Sequence, residues 1–158
     1  LRLGQNSVLI ACTTVLVCAA CSKPPATPED EVRQVVTDME GAVRAKDIAL
    51  LTDHISARYS DDEERDKRAI RGILVYYFRQ NRSIHLLTRV ESVELRGEGS
   101  AQTTIFAAIA GTQIPDASWL PRIRADLYRI DARWQKEGDA VWRLVEATWE
   151  PATTEDFG

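Results

Sequence analysis

The chain has 158 residues with 24 acidic and 20 basic side chains, a formal charge of −4 that argues against nucleic acid as a partner and against a broad electrostatic grip on anionic lipid. Its three cysteines, Cys12, Cys18 and Cys21, all lie near the N-terminus, which excludes a disulfide framework for everything that follows. Roughly 135 residues remain beyond them, enough for one domain held by its own core.

From Val8 to Ala20 the residues are apolar or small, and Arg2 is the positive charge before them. The run is shorter than the roughly 18 apolar residues of a spanning helix, and the small residues at its end suit peptidase cleavage, so residues 1–20 read as a signal peptide. Cys18-Ala19-Ala20-Cys21 resembles the lipobox of bacterial lipoproteins, which implies cleavage before Cys21 and lipid attachment to it. Cys18 stands where leucine is usual, and the alternatives are a simple cleaved signal or a short anchor. Residues 21–27 form a polar, proline-bearing tether, and Ser22 after the cysteine implies, by the same resemblance, the outer membrane.

Thr27 as N-cap, Pro28 at the first helical position and Glu29 with Asp30 in the first turn predict the start of a helix. Val32, Val35, Val36, Met39 and Val43 form its core face, with Arg33, Asp38, Glu40 and Arg44 on the other side. Asp47 caps a shorter helix carrying Ile48, Leu50, Leu51 and Ile55, and residues 56–59 form a loop or edge strand. A third helix is expected from Ser60, with Glu63 completing a capping box, through an apolar face of Ala69, Ile70, Ile73, Leu74, Tyr77 and Phe78 to a left-handed turn at Asn81.

Beyond Arg82 the period becomes alternating, and four strands are predicted: Ser83 to Arg96, Ala101 to Thr112, Ala125 to Lys136 and Val141 to Glu150. In the first, the apolar set Ile84, Leu86 and Val90 switches parity to Val93 and Leu95, which predicts a bulge or bend near Glu91 and Ser92. The second is apolar on both faces and reads as covered on both sides or central in the sheet. Residues 115–121, bounded by Pro115 and Pro121, read as a loop that carries Trp119. Residues 152–158 read as a flexible tail.

Helices followed by antiparallel strands predict an α+β domain with the helices on one face of a curved sheet. This order, the Lys46-Asp47-Ile48-Ala49-Leu50-Leu51 junction, and Trp142-Arg143-Leu144 with Trp149 resemble the nuclear transport factor 2-like superfamily, a cone-shaped fold that includes ketosteroid isomerase, scytalone dehydratase and polyketide cyclase-like proteins. The resemblance covers about residues 27–151 and implies a domain at 28–151. Asp61-Asp62-Glu63, the run Ser83-Ile84-His85-Leu86-Leu87-Thr88-Arg89-Val90, and Ala125-Asp126-Leu127-Tyr128-Arg129 resemble uncharacterised bacterial lipoproteins of that superfamily. A fold shared by enzymes, binding domains and adaptors transfers no function.

The acidic run Asp61, Asp62, Glu63, Glu64, Asp66 fails as a calcium loop, since Arg65 and Asp66 stand where an oxygen ligand and glycine belong. It reads instead as a helix start with i,i+4 pairs from Asp61 to Arg65, Glu63 to Lys67 and Glu64 to Arg68. His54 and His85 are too far apart for a zinc motif; His85 is expected to face outward, and His54 to cap the second helix or touch solvent. An isomerase-like mechanism needs a carboxylate base and oxyanion donors, and the aliphatic cavity side of the first helix offers none. An acid would come from Asp126, Asp131, Glu91 or Glu146, with Asp131 read as a member of an ion-pair ladder beside Arg129 and Arg133. No catalytic residue, cofactor or metal is assigned.

The expectation is therefore a non-catalytic envelope lipoprotein, anchored through Cys21 and facing the periplasm, presenting a cavity to a small apolar ligand or an envelope protein. Trp119, Tyr77 and Tyr128 are its candidate contacts. The alternatives are an isomerase, dehydratase or hydrolase acting in the cavity, and an adaptor subunit of an envelope complex.

Overall fold

The computed structural model describes residues 26–158, so Cys21, the signal segment and the tether up to Pro25 lie outside the described residues. Helix α1 (Pro28–Ala45) starts as the sequence predicts: the Thr27 hydroxyl accepts the Asp30 N–H at 3.2 Å and the Asp30 carboxylate takes the Thr27 N–H at 3.1 Å. Val32, Val35, Val36 and Ala42 are buried on its inner side. It ends at Lys46, a non-glycine residue at φ 55°. The Lys46 ammonium donates to the carbonyls of Phe78, Asn81 and Arg82, so this cap also ties α1 to the end of the third helix.

Helix α2 (Ile48–Asp53) is capped by Asp47, whose carboxylate accepts the Leu50 N–H at 3.0 Å. His54 is its C-cap, but the cap is made by backbone: His54 N–H donates to the Thr52 carbonyl, while both ring nitrogens are buried without a partner rather than at the surface. Ile55 then forms a short parallel bridge to Leu144.

The third helix, α3 (Lys67–Gln80), starts later than its spacing predicts. Its N-cap is Asp66, which accepts the Ala69 N–H at 2.8 Å; Ser60 is not a cap and no box forms with Glu63. The reason is local competition for backbone donors. The buried Asp61 carboxylate takes the N–H groups of Glu63 and Arg65 at 3.1 and 2.9 Å, and Glu64 sits at φ 58°, which no right-handed helix can include. Of the expected acid–base pairs only Asp61–Arg65 exists, at 2.7 Å; Glu63 turns to Arg65, and Lys67 donates to the Ile55 carbonyl at 2.7 Å. Asn81 is extended, not left-handed, at φ −107°, and stops the helix by donating its side-chain amide to the Tyr77 carbonyl.

Strands β1 (His85–Leu95), β2 (Ser100–Ala110), β3 (Ala125–Lys136) and β4 (Trp142–Pro151) form an antiparallel meander in chain order. The parity switch in β1 is a bulge: Val90 pairs with Ile105 and Ser92 with Thr104, leaving Glu91 as the extra residue. A second break lies where Arg133 pairs with Glu146 and Trp134 with Leu144, so Val145 has no strand partner. Its carbonyl accepts the Ser60 N–H instead.

The sheet is covered on both faces. Ala101, Ile105, Ala132, Trp134, Leu144 and Ala147 pack under α1, whereas Phe106, Ala108 and Ala110 face away from the helices. A 3₁₀ helix (Ala117–Arg122), within what reads in sequence as a plain loop, covers that far face with Leu120. The C-terminal segment is not the flexible tail that its composition predicts. Ala152 N–H bonds to Leu127, residues Thr154–Phe157 form a second 3₁₀ helix, and Phe157 is buried with its ring 5.9 Å from that of Phe106. Among the described residues no helix is long and apolar enough to cross a membrane.

Candidate functional site

Between the helices and the inner face of the sheet lies a cavity of about 540 Å³. Its floor is β2 and β3, where period-two alternation sends Ile105, Ala107, Ile109, Tyr128, Ile130 and Ala132 inward. Its side wall is α1, through Val36, Met39, Glu40 and Val43, and its roof is α3, through Ile70, Ile73, Leu74 and Tyr77. Phe78 is the buried residue of α3; Ile70, Leu74 and Tyr77 are partly buried against the core clusters and also line the cavity, while Ile73 is exposed. Two lysine ties hold this roof at its ends, Lys67 to Ile55 and Lys46 to the carbonyls around Asn81. The rim is marked by lining residues that also reach solvent, Ile73 at 47% and Trp149 at 52% exposure.

The polar groups of the wall are few. Glu40 faces the cavity side, contrary to its sequence placement on the outer side of α1; the carboxylate accepts the Thr88 hydroxyl and pairs with Arg44 one turn on. Arg44 in turn donates to the Leu86 carbonyl at 2.6 Å, which docks α1 onto β1. The first helix offers no donor on its cavity side, as its sequence implies; the wall hydroxyl is Thr88 of β1, placed opposite Ala107 by the β1–β2 register. Arg65 and Glu63 reach the wall already paired at 3.0 Å, with Arg65 held by Asp61 as well. Burial would raise the Asp61 pKa, but the Arg65 backbone and side-chain hydrogen bonds outweigh it and hold the carboxyl below its ordinary range. Tyr59 is pushed up to about 12, first by burial and then by the negative field of Asp61. Tyr77 is raised by burial and by Asp126.

Of the residues singled out in sequence, Tyr77 and Tyr128 line the cavity and Trp119 does not. Trp119 sits in the 3₁₀ helix on the far face of the sheet, half exposed, because Leu120 beside it is the residue that turns inward. The place at the mouth belongs to Trp149, whose ring meets Tyr128 edge-on at 6.0 Å. Strand parity could have found it, since Ile130 pairs with Trp149 and both face inward. His85 is displaced one residue from the inward-facing Leu86, and Asp131 bonds to Thr104 at 2.7 Å and pairs with Arg129 in the outer ladder. The remaining acids read from the sequence, Glu91, Asp126 and Glu146, are not among the lining residues.

No known family profile matches the chain, and no curated protein matches its sequence. Solved structures do match its fold. A nuclear transport factor 2-like protein of unknown function from Shewanella oneidensis aligns with TM-score 0.58 at 11% identity over 78% of this chain and 98% of that one. A ketosteroid isomerase-like protein from Erwinia carotovora gives 0.59 at 7% over 79% and 96%. A Bdellovibrio bacteriovorus protein gives 0.59 at 9% over 77% of this chain, which spans 40% of that longer one. The chain therefore has the nuclear transport factor 2-like fold, with helices packed on a curved four-stranded antiparallel sheet.

Proposed function

We propose that the protein is a non-catalytic envelope lipoprotein that holds a small apolar molecule in its helix–sheet cavity. The observation that carries the binding role is the wall itself: about 540 Å³ of concave space lined by aliphatic and aromatic side chains with a few polar groups, the usual make-up of a small-molecule site. The non-catalytic part rests on the state of the wall's charges. An isomerase-type reaction needs an unengaged carboxylate facing hydrogen-bond donors aimed at a reacting oxygen. Glu40 is engaged by Arg44 and Thr88, and Glu63 by Arg65.

The envelope role rests on the Cys18-Ala19-Ala20-Cys21 run and the polar stretch that follows it. Two or more acyl chains, each contributing ~0.8 kcal/mol per buried methylene, anchor a protein stably. Cys21→Ala is expected to leave an unprocessed or soluble product, and an intact mass showing a free Cys21 thiol in the native protein overturns the lipid anchor. For the cavity, fluorescence titration with a neutral naphthylamine dye is expected to show saturable binding displaced by small hydrocarbons. Failure to bind leaves the adaptor reading in its place. Turnover of a carbonyl or epoxide substrate that is lost in Glu40→Gln overturns the non-catalytic assignment.

A further inference from the structure

Resting on the cavity as an apolar binding site, we infer that its ligand is a neutral or cationic amphiphile carrying a hydrogen-bond donor, a hydroxyl or an ammonium, and that carboxylates are rejected. The first ground is the inventory at Glu40. The Thr88 proton is given to the Glu40 carboxylate, so the hydroxyl has lone pairs left to offer, and the carboxylate keeps acceptor sites beyond those that Thr88 and Arg44 occupy. Arg44, which balances Glu40, is not a lining residue. Its guanidinium is spent on the Leu86 carbonyl at 2.6 and 3.2 Å, and its side chain is 54% exposed. The pair therefore presents acceptors to whatever enters, within a stretch of wall formed by Met39, Val43 and Leu86.

The second ground is the field along the rest of the wall. Among the described residues Arg65 is the one cation that lines the cavity, and it is shared between Asp61 at 2.7 Å and Glu63 at 3.0 Å. An anionic head finds no uncommitted cation among the lining residues and meets the Glu40 carboxylate, whereas a donor can use the lone pairs that Glu40 and Thr88 have left. Selection of this kind works as much by what it repels as by what it holds.

The test compares 1-decanol, decylammonium and decanoate, each below its micelle concentration, as competitors of the neutral naphthylamine dye on the native full chain at neutral pH. Decanol and decylammonium are expected to bind about tenfold or more tighter than decanoate, since one lost charge-assisted hydrogen bond is worth at least that factor. In Glu40→Gln, with folding checked by circular dichroism, the gap should narrow to about twofold, because the amide now offers a donor. Decanoate binding as tightly as decanol in the native chain overturns the inference and leaves the apolar cavity standing. So does an unchanged gap in folded Glu40→Gln. Should that variant fail to fold, the native series decides alone. Binding of none of the three overturns the apolar-site reading and this one with it.

Discussion

His54 holds the least satisfied polar atoms of the described chain, two buried ring nitrogens with no hydrogen bond, at a point where backbone groups alone close α2. A buried polar atom without a partner keeps its desolvation cost, so His54→Leu is expected to raise stability by about 1 kcal/mol or leave it unchanged in urea unfolding. A clear loss would show that the ring is bonded in solution. Asp61 is the opposite case. Its carboxylate satisfies two backbone donors and Arg65 Nε, and Asp61→Asn should cost about 2 kcal/mol, by leaving Arg65 without its buried partner. The carboxyls of Glu31, held down first by Lys136, of Glu137, held first by Ser56, and of Asp139, lowered to about 2 by Arg143, lie below their ordinary values together with Asp61. A group with a lower pKa folded than unfolded lends stability above its unfolded pKa and loses it as pH falls through the folded one. Thermal midpoints should thus hold from neutral pH to about 5 and fall through the ordinary carboxyl values of 3.8 and 4.5 toward 2. A midpoint unchanged down to about pH 3 contradicts this assignment of the acids.

At the scale of elements, the C-terminal segment matters more than its sequence indicates. Phe157 is buried against Phe106, and Ala152 continues the ladder to Leu127, so removing residues 152–158 uncovers the far face of β2. Truncation after Pro151, or Phe157→Ala alone, should cost about 3 kcal/mol in denaturant unfolding. A value below about 1 kcal/mol means that the segment does not pack there. The reason it was illegible is physical: a four-residue 3₁₀ turn has no periodicity, and Phe157 alone carries its burial. Where local chemistry and tertiary packing agree, the sequence was readable, as in the Thr27 cap, the Asp47 cap and the bulge at Glu91, where an apolar parity switch has no other cheap explanation. The start of α3 was misread because Ser60 and Glu63 satisfy a capping rule that the buried Asp61 overrides with its own hydrogen bonds. A burial of that kind is set by the bridge region around Ser60 and Asp66, which spacing does not encode.

For the molecule as a whole, the strand-helix order made the fold and the existence of a cavity legible, and with them Tyr77 and Tyr128. Glu40 was missed because a helical wheel assigns faces by hydrophobicity, and a carboxylate braced by Arg44 and Thr88 can stand at the border of the apolar stripe. A position between Pro115 and Pro121 marks Trp119 as a loop residue, but it does not encode which side of the sheet the loop returns to. The prediction that separates the two tryptophans is direct: Trp149→Ala should weaken dye binding about fivefold or more, while Trp119→Ala changes it little. Equal effects of both, or an effect of Trp119 alone, would place the binding site on the far face. The two lysine ties of α3 bear on how the site works in time. A roof pinned at Lys46 and Lys67 and packed through Ile70, Leu74 and Tyr77 is held against swinging away, which leaves the exposed rim residues Ile73 and Trp149 as the side chains expected to turn aside for a guest. Exposed side chains turn over in picoseconds to nanoseconds, far faster than whole helices are displaced. On the proposed binding role, occupancy is expected to track the free concentration of the guest without a trigger, the behaviour of a buffer with quick exchange rather than of a vault.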